Sequence, residues 1–315
     1  MNLNSVLGIT STNSYGCNAG VKIDTNKYVL YPSEAITKCL YTVDLSSGTV
    51  VQSPTNFISN AYVINGAFAC SNNKVAFFFA PAFSTNNIYI YDYEQNTVTP
   101  KSLSSSLSGY RVYNGWGIDN NNVLFLLKAY SSSKWDYMGY AYVYNSSDDT
   151  VTQVIATGSC NIPVKAPNNK IYCVTGASFN SNPYYNLCVY NSTNKSFDSL
   201  FTSANGVGTT FVQPYTDENN VDYYFLIPST AGYSTCKLKV SDNSVTELTQ
   251  LSGTSTVPSQ SGNWYLQDTK IWQPPNADSL QTLSETISSV YTNAEKTSSI
   301  AFGTNKCIAT GSVSS

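Results

Sequence analysis

A short element recurs along this 315-residue chain and constrains its fold more than any other feature. It is a polar turn followed by a β-branched and aromatic run. It reads TNKYVLYP around Lys27, NNKVAFFFAP around Lys74, NNNVLFLLKA around Asn122 and NNKIYCVTG around Lys170. Weaker copies are NVDYYFLIP around Asp222, DTKIWQPP around Lys270 and TNKCIATGS around Lys306. The successive spacings are 47, 48, 48, 52, 48 and 36. A second element keeps the same pace: CLYTVDLSSGTVV, IYIYDYEQNTVTP, AYVYNSSDDTVTQ, LCVYNSTNKSFDS and CKLKVSDNSVTEL, anchored at Thr49, Thr97, Thr150, Ser196 and Ser244.

Each unit reads as four strands. Asn and Asp at the turns tolerate the positive φ that tight hairpins need. The second strand is a continuous apolar run, as expected when both faces are buried. The third alternates, as in Ile88-Tyr89-Ile90-Tyr91-Asp92. Four-stranded units at such a period predict an all-β, seven-bladed β-propeller in one domain. The blades are expected at residues 10–53, 54–101, 102–154, 155–201, 202–249, 250–290, and 291–315 joined by 1–9. Asn4-Ser5-Val6 matches Asn243-Ser244-Val245, so the N-terminal strand is expected to close the last blade and remove an open edge. Six blades is the alternative, if the region after Gly262 forms one irregular blade. Residues 278–289 are the one stretch that reads as helical.

NNKIYCVTG…NLCVYNSTNKSFDSL resembles a degenerate kelch repeat, with Thr175-Gly176 where that family has a glycine pair and Phe197 where it has a tryptophan. Ala80-Pro81 and Ile227-Pro228 depart from the pattern. LYTVDLSSGTVV is similar to the YVTN-type propeller repeats of archaeal surface proteins. These resemblances imply the fold and little about function, since propellers host many activities.

Composition narrows the chemistry. There are 16 basic and 19 acidic residues, one arginine (Arg111) and no histidine. Nucleic acid is not an expected partner, because its binding rests on Lys and Arg at phosphates. Ser-His-Asp and Cys-His catalysis is excluded without histidine. The eight cysteines lack zinc spacing, and no cofactor or metal is expected. The carboxylates fall mostly in turns, although a pair could still serve glycoside hydrolysis. Cys173 and Cys188 lie on neighbouring strands of one unit, so the alternatives are buried thiols or a cross-strand disulfide. No apolar run is long enough for a membrane helix, and no signal peptide is visible at the N-terminus.

What remains is a set of aromatics expected in the loops after the second strand. They are Tyr130, Trp135, Tyr137 and Tyr140 in the third unit, Phe179, Tyr184 and Tyr185 in the fourth, and Tyr233 in the fifth. Rings interleaved with Asn and Ser suit sugars or a protein surface; the alternative is that they cover the blade tops. Asn145, Asn191 and Asn194 open glycosylation sequons at third-to-fourth-strand turns. Few charges and no histidine suit an acidic exterior, and the composition resembles virion and surface proteins of thermoacidophilic archaea. The expected function is therefore non-enzymatic: a virion or extracellular surface component for assembly or host attachment, with particle subunits or host glycans and proteins as partners. The alternatives are an extracellular carbohydrate-active enzyme and an intracellular interaction scaffold.

Overall fold

The structure is a computed structural model. It describes residues 19–31, 39–54, 64–79, 85–107, 109–130, 135–156, 159–166, 169–176, 186–202 and 236–247, together with strand backbone at 210–211, 215–216, 222–227, 257–258, 265–267, 270–272, 281–282, 294–301 and 307–313. The fold is all-β and of propeller type: among the described residues there are seven antiparallel sheets, five of them four-stranded meanders, one of five strands and one of two. The chain divides into two compact units, residues 1–155 with 193–195, and residues 156–192 with 196–315.

The first unit holds three meanders. The first is β1 (Ala19–Lys22), β2 (Lys27–Tyr31), β3 (Tyr41–Asp44) and β4 (Thr49–Gln52). The second is β5 (Ile64–Cys70), β6 (Lys74–Phe79), β7 (Asn87–Asp92) and β8 (Thr97–Ser102). The third is β9 (Tyr110–Gly117), β10 (Asn122–Tyr130), β11 (Trp135–Asn145) and β12 (Thr150–Gln153).

Packing explains the apolar second strands. Side chains alternate between sheet faces. On β6, Val75, Phe77 and Phe79 pack with Val29 of β2 and with Leu40, which immediately precedes β3. Ala76 and Phe78, on the other face, pack with Val112, Val123, Phe125 and Leu127 of the third sheet. A strand covered on both sides has no use for a polar alternate residue, so VAFFF is continuous.

The second unit continues the pattern with β13 (Ser159–Lys165), β14 (Ile171–Gly176), β15 (Asn186–Asn191) and β16 (Ser196–Thr202). The next sheet has β17 (Thr210–Phe211) and β18 (Tyr215–Thr216), both on β19 (Asp222–Ile227), then β20 (Cys236–Lys239) and β21 (Val245–Glu247). Tyr172 and Val174 pack with Cys236, Leu238 and Val240 across these two sheets. A further four-stranded sheet comprises β22 (Val257–Pro258), β23 (Tyr265–Gln267), β24 (Lys270–Trp272) and β25 (Gln281–Thr282). The last two strands, β26 (Ala294–Ala301) and β27 (Cys307–Val313), pair with each other. Gln281 and Thr282 are strand, which corrects the helical expectation at those two residues: pairing with Ile271 and Lys270 overrides a weak local preference. The rest of residues 278–289 lies outside the described residues. Residues 1–9, expected to close the last blade, lie outside the described residues.

The outer turns share one backbone device. A residue at the entry to the fourth strand has positive φ in five consecutive units: Gly48 (72°), Asn96 (49°), Asp149 (59°) and Lys195 (51°) immediately before it, and Asn243 (62°) two residues before it. This left-handed geometry lets the chain reverse within the sheet's twist, and it suits Gly, Asn and Asp. Two of these residues also receive a buried tyrosine of the third strand. Tyr91 donates to Asn96 Oδ1 at 3.2 Å, and Tyr144 to Asp149 Oδ1 at 2.9 Å. Lys195 is the exception, a long side chain that gains nothing from this backbone. Lys195→Asn is therefore expected to stabilise the protein by about 1 kcal/mol, read as a higher urea midpoint at unchanged slope. A midpoint equal to or below the parent's rejects this account of the turn.

The recurring lysine of the first element acquires a role here. Lys74 Nζ lies 3.6 Å from Asp149 Oδ1 in the third sheet's outer turn and donates to Ser146 O at 3.4 Å. Lys170 donates to Asn243 Oδ1 at 2.8 Å and to Val240 O at 3.2 Å in the fifth sheet's turn. Lys74 starts β6 and Lys170 immediately precedes β14, and each ties its sheet to the outer turn of the next.

Candidate functional site

The third meander differs from the rest in strand length. Its β11 has 11 residues against 4 in β3 and 4 in β12. Pairing of β11 with β12 begins only at Tyr142, so the hairpin of β10 and β11 continues past the end of β12. Its outermost pair is Tyr130 with Trp135. This corrects the expectation of a long aromatic loop. Trp135, Tyr137 and Tyr140 lie within β11, and Tyr130 ends β10. The reason is that Trp and Tyr at close spacing favour a pleated strand once a partner strand is present.

The base of this hairpin carries a cationic and aromatic group. Tyr110 and Tyr140 lie on the strands either side of β10, paired with Ala129 and Leu127, and their rings meet at 5.4 Å and 62°. Lys128 is buried, 8% exposed, on the central strand. Its Nζ stands 4.3 Å from the centroid of the Tyr113 ring. Burial lowers the Lys128 pKa from its ordinary value, and a ring face is a partner that a partly desolvated ammonium accepts. The pairing of Leu126 with Asn114 and of Leu127 with Val112 leaves Tyr113 as the extra residue of a bulge. Such a bulge re-aims a side chain. Arg111, the only arginine in the chain, is paired directly with Lys128. The sequence singled out Tyr140 but not Tyr110, Tyr113 or Lys128. A lysine at the end of the apolar run Val123–Leu127 was the available signal.

The other aromatic candidates, Phe179, Tyr184, Tyr185 and Tyr233, lie outside the described residues. Asn145 ends β11 and accepts from Ser147 N at 2.8 Å. Asn191 ends β15 and donates to Asp198 Oδ2 at 2.7 Å, and Asn194 sits in the following turn. Cys173 and Cys188 are directly opposite partners on β14 and β15, yet both are free thiols. That is the register a cross-strand disulfide requires.

Carboxylates serve the turns. Asp44 Oδ1 accepts from Ser46 N at 2.9 Å, Asp92 Oδ1 from Gln95 N at 2.9 Å, Asp119 Oδ1 from Asn121 N at 2.7 Å and Asp242 Oδ1 from Ser244 N at 2.9 Å. Side-chain hydrogen bonds, from Ser46 to Asp44, Thr150 to Asp148, Ser196 to Asp198 and Ser244 to Asp242, hold these carboxyls below their ordinary values. At Asp149 burial acts upward, but hydrogen bonds from Lys101 and Tyr144 and the charges of Lys101 and Lys74 outweigh it, and the net shift is downward. A carboxyl depressed in the folded state contributes stability above its unfolded value and loses it as pH falls through the folded value. These turns therefore keep their charge and bonds into moderate acid. Among the described residues no group of His, Cys, Asp or Glu is placed to hold a metal ion, and no helix is long and apolar enough to cross a membrane.

No protein-family model matches the chain, and no curated protein matches it. Solved structures do resemble it. Dihydro-heme d1 dehydrogenase NirN in complex with DHE has a TM-score of 0.46 at 7% identity, over 85% of this chain and 56% of that one. Oligogalacturonate lyase from Vibrio parahaemolyticus has a TM-score of 0.42 at 10% identity, over 85% and 77%. The extracellular domain of a one component system from B. thetaiotaomicron has a TM-score of 0.41 at 12% identity. This chain covers 85% of its own length in that match and spans about a third, 33%, of the matched chain.

Proposed function

We propose that the chain is a non-enzymatic recognition protein, a virion or cell-surface component, that engages a particle subunit or a host-surface glycan or protein through the hairpin of the third meander. The observation that carries this reading is the hairpin itself. It extends past β12, has Tyr130 and Trp135 as its outermost pair, and rests on a base where Tyr110 meets Tyr140 and Lys128 meets Tyr113. Aromatic strands are an economical binding surface, because a ring supplies large contact area with few rotamers to freeze. Arg111 at the base adds a planar donor group suited to hydroxyls and carbonyls.

The enzyme alternative needs two facing carboxylates, whereas Asp44, Asp92, Asp119 and Asp242 are committed to their own turns. Turn carboxyls held below their ordinary values, at Asp44, Asp148, Asp149, Asp198 and Asp242, on a chain without histidine, suit the acidic exterior this reading implies.

Trp135→Ala with Tyr137→Ala is the test. The double variant is expected to keep the parent's β-sheet circular dichroism and to lose about tenfold or more in cell binding or particle incorporation, the size expected when aromatic anchors are truncated. Full binding by a folded double variant assigns recognition to another surface.

A further inference from the structure

The fourth meander buries three thiols together. Cys160, Cys173 and Cys188 are 1%, 0% and 1% exposed. Burial first, and then the neighbouring Cys160 and Cys188, push the Cys173 thiol above its ordinary pKa, and Cys188 Sγ lies 3.4 Å from Thr175 Oγ1. Register separates the two neighbours of Cys173. Cys188 is directly opposite it on β15. Cys160 is opposite Thr175, hence diagonal to Cys173 across the pairing of β13 with β14. Directly opposite residues in an antiparallel pair have Cα atoms about 4.5–5.5 Å apart, inside the roughly 4.4–6.8 Å span of disulfides. Diagonal pairs stand about 7–8 Å apart, outside it.

We propose that Cys173 and Cys188 are the site of a cross-strand disulfide that forms by exchange with a low-molecular-weight disulfide while the fourth meander folds, with Cys160 remaining a thiol packed against it. One protein thiolate attacks the small disulfide, forms a mixed disulfide and releases one small thiol. The second protein sulfur attacks the first, forms the Cys173–Cys188 bond and releases the other small thiol. Two protein thiols are oxidised and one small disulfide is reduced to two thiols. Burial bars the reagent from the finished sheet, so exchange belongs to folding or to transient opening of β15.

The test refolds the reduced protein with oxidised glutathione, counts thiols after denaturation and maps the disulfide peptides. The expected result is loss of two of the eight thiols, a single bridge from Cys173 to Cys188, and a Tm about 5 °C above the reduced protein, the scale for closing a loop of this length. Cys160→Ser is expected to give the same bridge and the same shift. A bridge from Cys160 to Cys173, bridges only among other cysteines, or eight free thiols overturns the proposal.

Discussion

Phe125→Ala is expected to lower stability by about 3–5 kcal/mol, the range for removing a large buried ring. Phe125 is 0% exposed at the centre of β10. Its ring meets Phe68 at 6.0 Å and 78°, and Phe78 at 6.0 Å and 79°. These edge-to-face contacts join the second sheet to the third and add to the area buried. Truncation opens a cavity walled by two other rigid rings, which cannot collapse into it cheaply. Equilibrium denaturation followed by circular dichroism gives the free energy. A loss below about 1.5 kcal/mol, the range of a tolerated core swap, means that the three rings are not the joint between these sheets.

Gly115→Ala is expected to cost about 1–3 kcal/mol, although it adds a single methyl to a position with no strained backbone. A Cβ there would stand 2.8 Å from Phe68 Cε2 and 3.0 Å from Phe125 Cδ1 and Cε1. The glycine is present because two aromatic rings occupy the space its side chain would take. This cost and that of Phe125→Ala should not add. In the double variant the contacts with Phe125 are gone and only the approach to Phe68 remains, so the combined loss should fall short of the two single losses. Strict additivity would show that Gly115 is required for another reason.

Much of the fold is legible in the sequence because its determinants are local. The spacing of Thr49, Thr97, Thr150, Ser196 and Ser244 locates the starts of β4, β8, β12 and β16 and the residue before β21. The residue preceding each takes positive φ as its turn chemistry requires. The carboxylates read as turn formers, Asp44, Asp92 and Asp242 among them, accept backbone N–H groups in those turns. The candidate site was legible only in part. Its aromatics stood out, but their placement as a loop did not survive, because strand propensity in WDYMGYAYVY becomes structure only when β10 supplies a partner.

Thus the sequence by itself determined the repeat, the four-stranded unit and the chemistry of its turns, since hairpin φ angles and period-2 alternation are properties of a few neighbouring residues. Tertiary structure alone decided the bulge that aims Tyr113 at Lys128, the reach of Lys74 into the turn at Asp149, and which thiol lies opposite Cys173. Those outcomes depend on register between strands and on contact between sheets. A slip of one residue exchanges the two faces of a strand, and only packing against the adjacent sheet selects between the alternatives.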